Sequence, residues 1–131
     1  MMSSPSSIDI LLVEDDEDLR EAMVDTLTEA GYTVEAVRHG RAALDWFEDG
    51  ALRPKLILLD LMMPVMDGWQ FLDERQKFPV IMAVPVVVLS ANGAFTGGSD
   101  TIPFLRKPIS VKPLLAVVAR FCAVASDPAP A

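Results

Sequence analysis

The sequence has few cysteines, few basic residues and no long apolar run, and each shortage excludes a class of protein. Its single cysteine, Cys122, has no partner for an internal disulfide, which favours a reducing compartment. Residues 1–7 lack the apolar stretch of a signal peptide. The longest apolar run, Val80 to Leu89, is interrupted by Pro85 and is too short to span a bilayer. We therefore expect a cytoplasmic protein that does not enter the membrane.

The shortage of basic residues gives the chain a strong negative charge. Lys and Arg number 11 against 19 Asp and Glu, so the formal net charge is −8. Because such a protein repels a phosphate backbone, direct nucleic-acid binding by this domain is not expected. A surplus of carboxylates does suit a protein that holds a divalent cation.

The length of 131 residues is enough for one domain with its own hydrophobic core. The composition of the two ends predicts tails over residues 1–7 and 125–131. The second tail would be either a natural terminus or the stub of a linker. The folded domain is expected over residues 8–124.

Between the tails, short apolar runs alternate with segments of helical periodicity. The runs predict five strands: Ile10–Val13, Tyr32–Val37, Leu56–Leu59, Val86–Leu89 and roughly Ile102–Leu105. Three of them are nearly continuous in Ile, Leu and Val, which is typical of parallel strands covered on both faces. Helices are predicted from Leu19 to a stop at Gly31, and over 41–48, 68–77 and 110–123 with Ser110 as the last N-cap. The alternation predicts a doubly wound α/β sheet with its functional crevice beyond the carboxyl ends of the strands.

Four of the predicted strands end in side chains suited to chemistry. Glu14 and Asp15 end the first strand and Asp60 ends the third, so their carboxylates would converge in one crevice. Like charges this close are costly unless a cation or a shared proton is present, and a hard cation with oxygen ligands, such as Mg²⁺, fits. The fourth strand ends in Ser90 and the fifth in Lys107. A carboxylate nucleophile, a metal site, an ammonium and a hydroxyl are the parts that phosphoryl transfer needs.

With these residues the sequence resembles the receiver domains of bacterial two-component response regulators. The matching segments are Leu-Leu-Val-Glu14-Asp15-Asp16, Asp60-Leu-Met-Met-Pro64-Val-Met-Asp67-Gly68, Leu89-Ser90-Ala91 and Lys107-Pro108. They occur in the family's order and cover nearly the whole chain, roughly residues 8–124. The resemblance implies a five-stranded parallel sheet of flavodoxin-like order 2-1-3-4-5.

The resemblance also implies that Asp60 accepts a phosphoryl group and becomes 4-aspartylphosphate. Lys107 would pair with the phosphoryl group, Ser90 would move to hydrogen-bond it, and Phe104 matches the family's aromatic switch position. The Lys107–Pro108 peptide bond would be cis. The donor would be a phosphohistidine of a histidine kinase or histidine phosphotransfer protein, and the signal would pass to a downstream output protein or domain. Such a module has no independent substrate, so an enzyme is not expected.

The metal ligands follow from the same resemblance. Asp15 would bind Mg²⁺ directly and Glu14 mainly through water. Asp60 and the backbone carbonyl of Met62 would complete the ligands that the protein supplies.

Several neighbouring residues have simpler explanations. Asp16 is expected to cap the first helix, since acids favour helix N-termini. Asp67-Gly68 indicates a turn and a helix start rather than a ligand. His39 is expected to be a solvated loop side chain, because it precedes Gly40 away from the crevice.

Three other functions compete with this interpretation. A hydrolase of the haloacid dehalogenase type also uses a strand-end aspartate, but it needs a second acid two residues later, where this chain has Met62. A flavodoxin-like nucleotide binder needs a hydroxyl- and glycine-rich loop after the first strand, and Glu14-Asp15-Asp16 would repel phosphate there. A degenerate receiver that binds partners without being phosphorylated remains open.

The connection after the fourth strand departs from the family pattern. Residues 91–101 contain three glycines, each costing about 1 kcal/mol in a helix relative to alanine, and have no apolar stripe. The sequence therefore predicts a short or missing helix at this point, which puts the family's usual dimer and output face in doubt.

Overall fold

The computed structural model of the protein describes residues 8–49, 53–61, 67–90 and 103–122. Its strands are β1 (Ile8–Val13), β2 (Val34–Val37), β3 (Pro54–Asp60), β4 (Val86–Ser90) and β5 (Phe104–Arg106). Its helices are α1 (Glu17–Glu29), α2 (Gly40–Asp49), α3 (Gly68–Glu74), α4 (Pro79–Met82) and α5 (Val111–Phe121). A 3₁₀ turn, Arg75–Lys77, follows α3 directly.

The five strands form one parallel sheet in the order β2-β1-β3-β4-β5. This confirms the predicted doubly wound α/β fold and its strand order. The chain moves outward from β1 to β2 and then returns past β1 to β3, so the order reverses between β1 and β3. In open sheets of this kind ligands bind beyond the carboxyl ends of the strands at that reversal.

Side chains on the two faces of the sheet form two apolar layers. The strands β1, β3 and β4 are buried almost throughout, which explains why their sequences are continuous in Ile, Leu and Val. One layer joins the sheet to α1 and α5, and includes Ile10, Leu12, Leu27, Leu58, Leu114 and Val118. The other joins it to α2 and α3, and includes Leu11, Val13, Leu44, Ile57, Leu59 and Phe71.

Local capping interactions set the starts and ends of the helices. The Asp16 side chain accepts a hydrogen bond from the Leu19 amide at 3.1 Å, which confirms it as the N-cap of α1. Gly31 follows α1 with a φ of +103°, a conformation that disfavours other residues. Ser110 stands at the N-cap of α5 as predicted, but its side chain makes no capping hydrogen bond.

The differences between the structure and the sequence prediction include two element boundaries and one helix that was not predicted. The second strand begins at Val34, because the Tyr32 amide still bonds back to the Leu27 carbonyl of α1, at 3.1 Å, and Thr33 connects it to the strand. The third helix ends at Glu74 and continues only as the 3₁₀ turn. Helix α4 was not predicted, since its Pro-Val-Ile-Met sequence is part of a long apolar run, yet a proline suits the first turn of a helix.

Some predictions concern parts of the chain that lie outside the described residues. These are the two tails, the connection over 91–101 that was expected to have a short or missing helix, and Ile102 at the start of the predicted fifth strand. Among the helices of the described residues, none has the length and apolarity needed to cross a bilayer.

Candidate functional site

Three carboxylates meet at the carboxyl edge of the sheet, where the strand order reverses. Glu14 and Asp15 directly follow β1, and Asp60 is the last residue of β3, whose Leu59 pairs with Val13. One carboxylate oxygen from each of the three residues lies within 4.8 Å of the others. Glu14 and Asp60 are buried, whereas Asp15 is exposed. The sequence predicted this cluster correctly.

Lys107 joins the cluster from the end of β5. Its Nζ atom lies 3.2 Å from Glu14 Oε1 and 3.2 Å from Asp60 Oδ1. Its backbone amide donates to the Ser90 carbonyl at 2.8 Å, and this hydrogen bond fixes the position of the Lys107 backbone beside β4. Burial acts to lower the pKa of Lys107, but attraction and hydrogen bonding to the two carboxylates outweigh it, so the pKa is raised. Lys107 is therefore an ammonium at neutral pH.

The cluster holds more negative than positive charge. Within the described residues, three carboxylates converge on one ammonium. Glu14 Oε2 accepts a hydrogen bond from the Asp16 amide at 3.1 Å. The fully buried Oε1 atom lies 3.2 Å from Lys107 Nζ, but it accepts no hydrogen bond of good geometry from the described residues. Buried oxygens without a donor are unusual, and a cation would satisfy this one. The residues present thus fit a divalent cation with oxygen ligands.

The other predicted site residues lie at the same edge or outside the description. Ser90 is the buried last residue of β4, and its neighbour Leu89 pairs with Asp60. Phe104 begins β5 opposite Val88 and is 41% exposed. The Lys107–Pro108 bond is cis, as expected. Met62, whose carbonyl was expected to bind the metal, falls outside the described residues.

Arg20 supports the loop that carries the acids, and the sequence did not single it out. Its Nη1 atom donates to the backbone carbonyl of Glu14 at 3.0 Å and to that of Asp15 at 3.4 Å. A positive charge near a helix N-terminus interacts unfavourably with the helix dipole, so an arginine there is expected to have a specific partner. The position of Arg20 in α1 was the signal for this contact in the sequence. Arg20 thereby holds the backbone of two of the three acids.

Gly68 supports the third acid. Its amide donates to the Leu61 carbonyl at 3.0 Å, so the start of α3 lies against the end of β3. A Cβ atom at position 68 would lie 2.6 Å from the backbone oxygen of Asp60 and 2.6 Å from Leu61 Cα. The Asp67 side chain and Gln70 form a capping box at this helix start. The prediction that Asp67-Gly68 is structural is confirmed, and the close approach explains why the residue is glycine.

His39 follows β2 by two residues and is not a member of the carboxylate cluster in the described part of the chain, and it is partly buried rather than fully solvated. Its Nδ1 atom accepts a hydrogen bond from the Ala42 amide at 3.1 Å, so the ring caps the start of α2. This capping hydrogen bond is a sufficient reason for a histidine at position 39.

The model of the response regulator receiver domain family matches residues 10–119, and the chain belongs to this family. The Escherichia coli (strain K12) transcriptional regulatory protein HprR is 39% identical over 119 residues, covering 83% of this chain and 49% of HprR. The Pseudomonas aeruginosa response regulator protein FleR is 38% identical over 117 residues, covering 85% of this chain and 24% of FleR. The chain thus spans half or less of the length of these two relatives.

Solved structures agree with this assignment. The signal receiver domain of a signal transduction histidine kinase from Syntrophus aciditrophicus has a TM-score of 0.75 and 28% identity, covering 95% of this chain and 97% of that one. The receiver domain of sensor histidine kinase PA1611 from Pseudomonas aeruginosa PAO1, described with a magnesium ion in its active site cleft, has a TM-score of 0.77 and 28% identity, covering 90% and 99%. The protein is a receiver domain of the kind that two-component response regulators contain.

Proposed function

We propose that Asp60 accepts a phosphoryl group, with Mg²⁺, from the phosphohistidine of a histidine kinase or histidine phosphotransfer protein. The supporting observation is the position of Asp60 at the end of a buried strand, beside Glu14, Asp15 and Lys107. The product, a 4-aspartylphosphate, changes the conformation of the domain. We assign this function to a receiver domain over residues 8–124, flanked by tails over 1–7 and 125–131.

The transfer makes one bond and breaks one. An oxygen of the Asp60 carboxylate attacks phosphorus, the P–N bond to the donor histidine breaks, and the imidazole nitrogen keeps the electron pair and takes up a proton. Lys107 already contacts Asp60 Oδ1, so its ammonium can follow the new phosphoryl oxygens with little movement. Ser90, at the end of the neighbouring strand, donates its hydroxyl hydrogen to the phosphoryl group. Phe104 responds to this movement as the switch residue.

Glu14, Asp15, Asp60 and the carbonyl of Met62 would hold the metal. Every donor is an oxygen, and no histidine or cysteine belongs to the cluster among the described residues, which favours Mg²⁺ over zinc or copper. When bound, Mg²⁺ neutralises charge on the acids and on the incoming phosphoryl oxygens.

We infer that the domain acts as a signalling module with no independent substrate, in the cytoplasm. Its partners would be the phosphohistidine donor and a downstream output protein or domain, with no direct contact to nucleic acid or membrane. The net charge of −8 and the lone cysteine support this assignment.

Incubation with acetyl phosphate and Mg²⁺ tests the proposal. Mass spectrometry should find one added phosphoryl group that hydroxylamine removes, and Asp60→Asn should not acquire it. Asp45→Asn, a surface acid on α2, is the matched control and should be labelled like the wild type. If Asp60→Asn is labelled at the wild-type rate, the assignment is wrong. If the wild type binds Mg²⁺ but is never labelled, the chain is the degenerate receiver instead.

A further inference from the structure

A groove of about 530 Å³ lies at the amino edge of the sheet, at the opposite end of the strands from the carboxylate cluster. Its walls are Arg75 from the 3₁₀ turn, residues 82–86 before and at the start of β4, Pro103 before β5, and Arg120 and Phe121 at the end of α5. Most of this lining is apolar. The volume is within the range of sites that take a ligand or an anchoring side chain.

Two arginines are the charged side chains that line the groove in the described part of the chain, and neither pairs with a carboxylate there. Arg75 is partly buried and its Nη1 atom reaches only the Val84 carbonyl, at 3.4 Å, while Arg120 lies 5.5 Å from the centre of the Phe121 ring. Within the described residues neither forms an ion pair, in a chain with 19 acids. Burial lowers the pKa of Arg75, and its guanidinium is partly desolvated beside a neutral carbonyl. Carboxylates of a bound partner would pair with both guanidinium groups.

Exposed apolar side chains occur on the segment that supplies one wall of the groove. Phe78 and Met82 are 37% and 43% exposed, and the Met82 amide donates to the Phe78 carbonyl at 2.9 Å, one helical turn away. The Phe78 amide donates in turn to the Arg75 carbonyl at 2.9 Å. Phe78 is extended between the 3₁₀ turn and α4, and Met82, one turn after it, lines the groove together with Arg75. The combined surface is larger than a small anion would use.

We propose that this surface, which we call the arginine groove (Arg75, Met82, Val84, Arg120 and Phe121), binds an acidic segment of a partner protein. An apolar side chain of the segment enters the groove, and its carboxylates pair with Arg75 and Arg120. Guanidinium groups suit this role because they bind carboxylates in a bidentate manner. A nucleic acid is disfavoured by the net charge of −8, whereas a short segment needs few carboxylates, and distant charges are screened over about 8 Å at physiological salt.

The test uses the full chain, labelled with ¹⁵N, and three short fluorescent peptides of alternating Glu and Leu, Glu and Ser, or Lys and Leu. The Glu-Leu peptide should shift the amide signals of Arg75, Met82 to Val84, Val86 and Phe121. The other two should bind at least about tenfold more weakly by fluorescence anisotropy, since each lacks one of the two interactions. Equal binding of the three peptides, or no binding of the Glu-Leu peptide, would overturn the proposal.

Substitutions locate the interaction and separate it from phosphorylation. Arg75→Gln and Arg120→Gln should each weaken Glu-Leu binding about tenfold, while Arg38→Gln, an exposed arginine after β2, should not. Because Arg120 is exposed, its variant remains informative if Arg75→Gln fails to fold. Asp60→Asn should bind like the wild type. Wild-type affinity in Arg120→Gln would refute the assignment, and so would self-association in sedimentation equilibrium that Arg120→Gln abolishes, since the occupant would then be a second copy.

Discussion

At the scale of single residues, Lys107 determines the charge balance of the site. Its side chain is 21% exposed, but its partners Glu14 and Asp60 are buried. A surface lysine paired with exposed acids contributes little to stability, which is what the sequence alone would suggest for a lysine in a loop. A lysine that pairs with two buried carboxylates contributes more to stability, because its removal leaves two buried negative charges without this compensating positive charge.

Lys107→Met should therefore destabilise the metal-free protein. The variant keeps most of the aliphatic stem and loses the ammonium, so we expect the free energy of unfolding to fall by about 2 kcal/mol in urea denaturation. Saturating Mg²⁺ should recover most of this loss, because it supplies positive charge to the same carboxylates. Lys112→Met, an exposed lysine on α5, is the control and should change little. Equal losses in the two variants would contradict this account of Lys107.

Gly68→Ala should impair the site more than the fold. The new Cβ would lie 2.6 Å from the Asp60 carbonyl oxygen, so α3 and the end of β3 must separate and carry the Asp60 carboxylate with them. We expect at least a tenfold loss of Mg²⁺ affinity by titration calorimetry and slower labelling by acetyl phosphate. Gly31→Ala is the matched control, since its φ of +103° makes alanine cost about 1 kcal/mol while nothing lies near the new methyl group. Unchanged Mg²⁺ affinity in Gly68→Ala would refute the positioning role.

At the scale of secondary-structure elements, the features that could be predicted from the sequence are those that depend on a local residue pattern. The buried strands β1, β3 and β4 follow from continuous apolar runs, and the acids and lysine of the site follow from their places at strand ends. The helix α4 was missed because Pro79 to Met82 belongs to an apolar run that equally fits a strand. The contacts of Arg20 and the fit of Gly68 against β3 depend on how elements meet in space, which no local pattern records.

Helix α5 is joined to β1 by a buried thiol at its last turn. Cys122 Sγ donates to the Asp9 carbonyl at 3.7 Å, and burial, with a smaller contribution from the Asp9 charge, raises the pKa of the thiol from 9.0 to about 11. The folded state therefore holds this proton more tightly than the unfolded state. Its contribution to stability is complete below about pH 9 and is lost as the pH rises through about 11.

Cys122→Ala should accordingly flatten the alkaline loss of stability. Two pKa units correspond to about 2.7 kcal/mol, of which about 2 kcal/mol is lost by pH 11, so the wild type should lose that much more free energy of unfolding than the variant between pH 8 and 11. Chemical denaturation across this range measures the difference, and comparing the two proteins removes the contribution of Lys107, whose pKa is also raised. Burial and then the charge of Cys122 raise the pKa of Tyr32, so the variant also loses part of that shift and the difference grows in the same direction. The native thiol should also resist alkylation at pH 8 until the protein is unfolded. Parallel stability curves for the two proteins would contradict the raised pKa.

At the scale of the whole molecule, charge is divided between the two edges of the sheet. The carboxyl edge gathers Glu14, Asp15 and Asp60 around one lysine, whereas the arginine groove lies at the amino edge. This division separates phosphoryl chemistry from the proposed docking of a partner. Repulsion among the three acids opposes folding, so we expect a cation that binds them to stabilise the fold.

Replacement of Asp15 tests this dependence. A ligand that binds only the folded state stabilises it by about 2.7 kcal/mol at a hundred times its dissociation constant, so Mg²⁺ should raise the melting temperature of the wild type. Asp15→Asn should melt higher than the wild type without metal, because one repelling charge is gone, and should lose most of the Mg²⁺ response, because one ligand is gone. Asp25→Asn on the exposed face of α1 raises the net charge equally and should keep the full response. Thermal unfolding at constant ionic strength compares the three proteins, and an equal Mg²⁺-induced shift in the two variants would exclude Asp15 as a ligand.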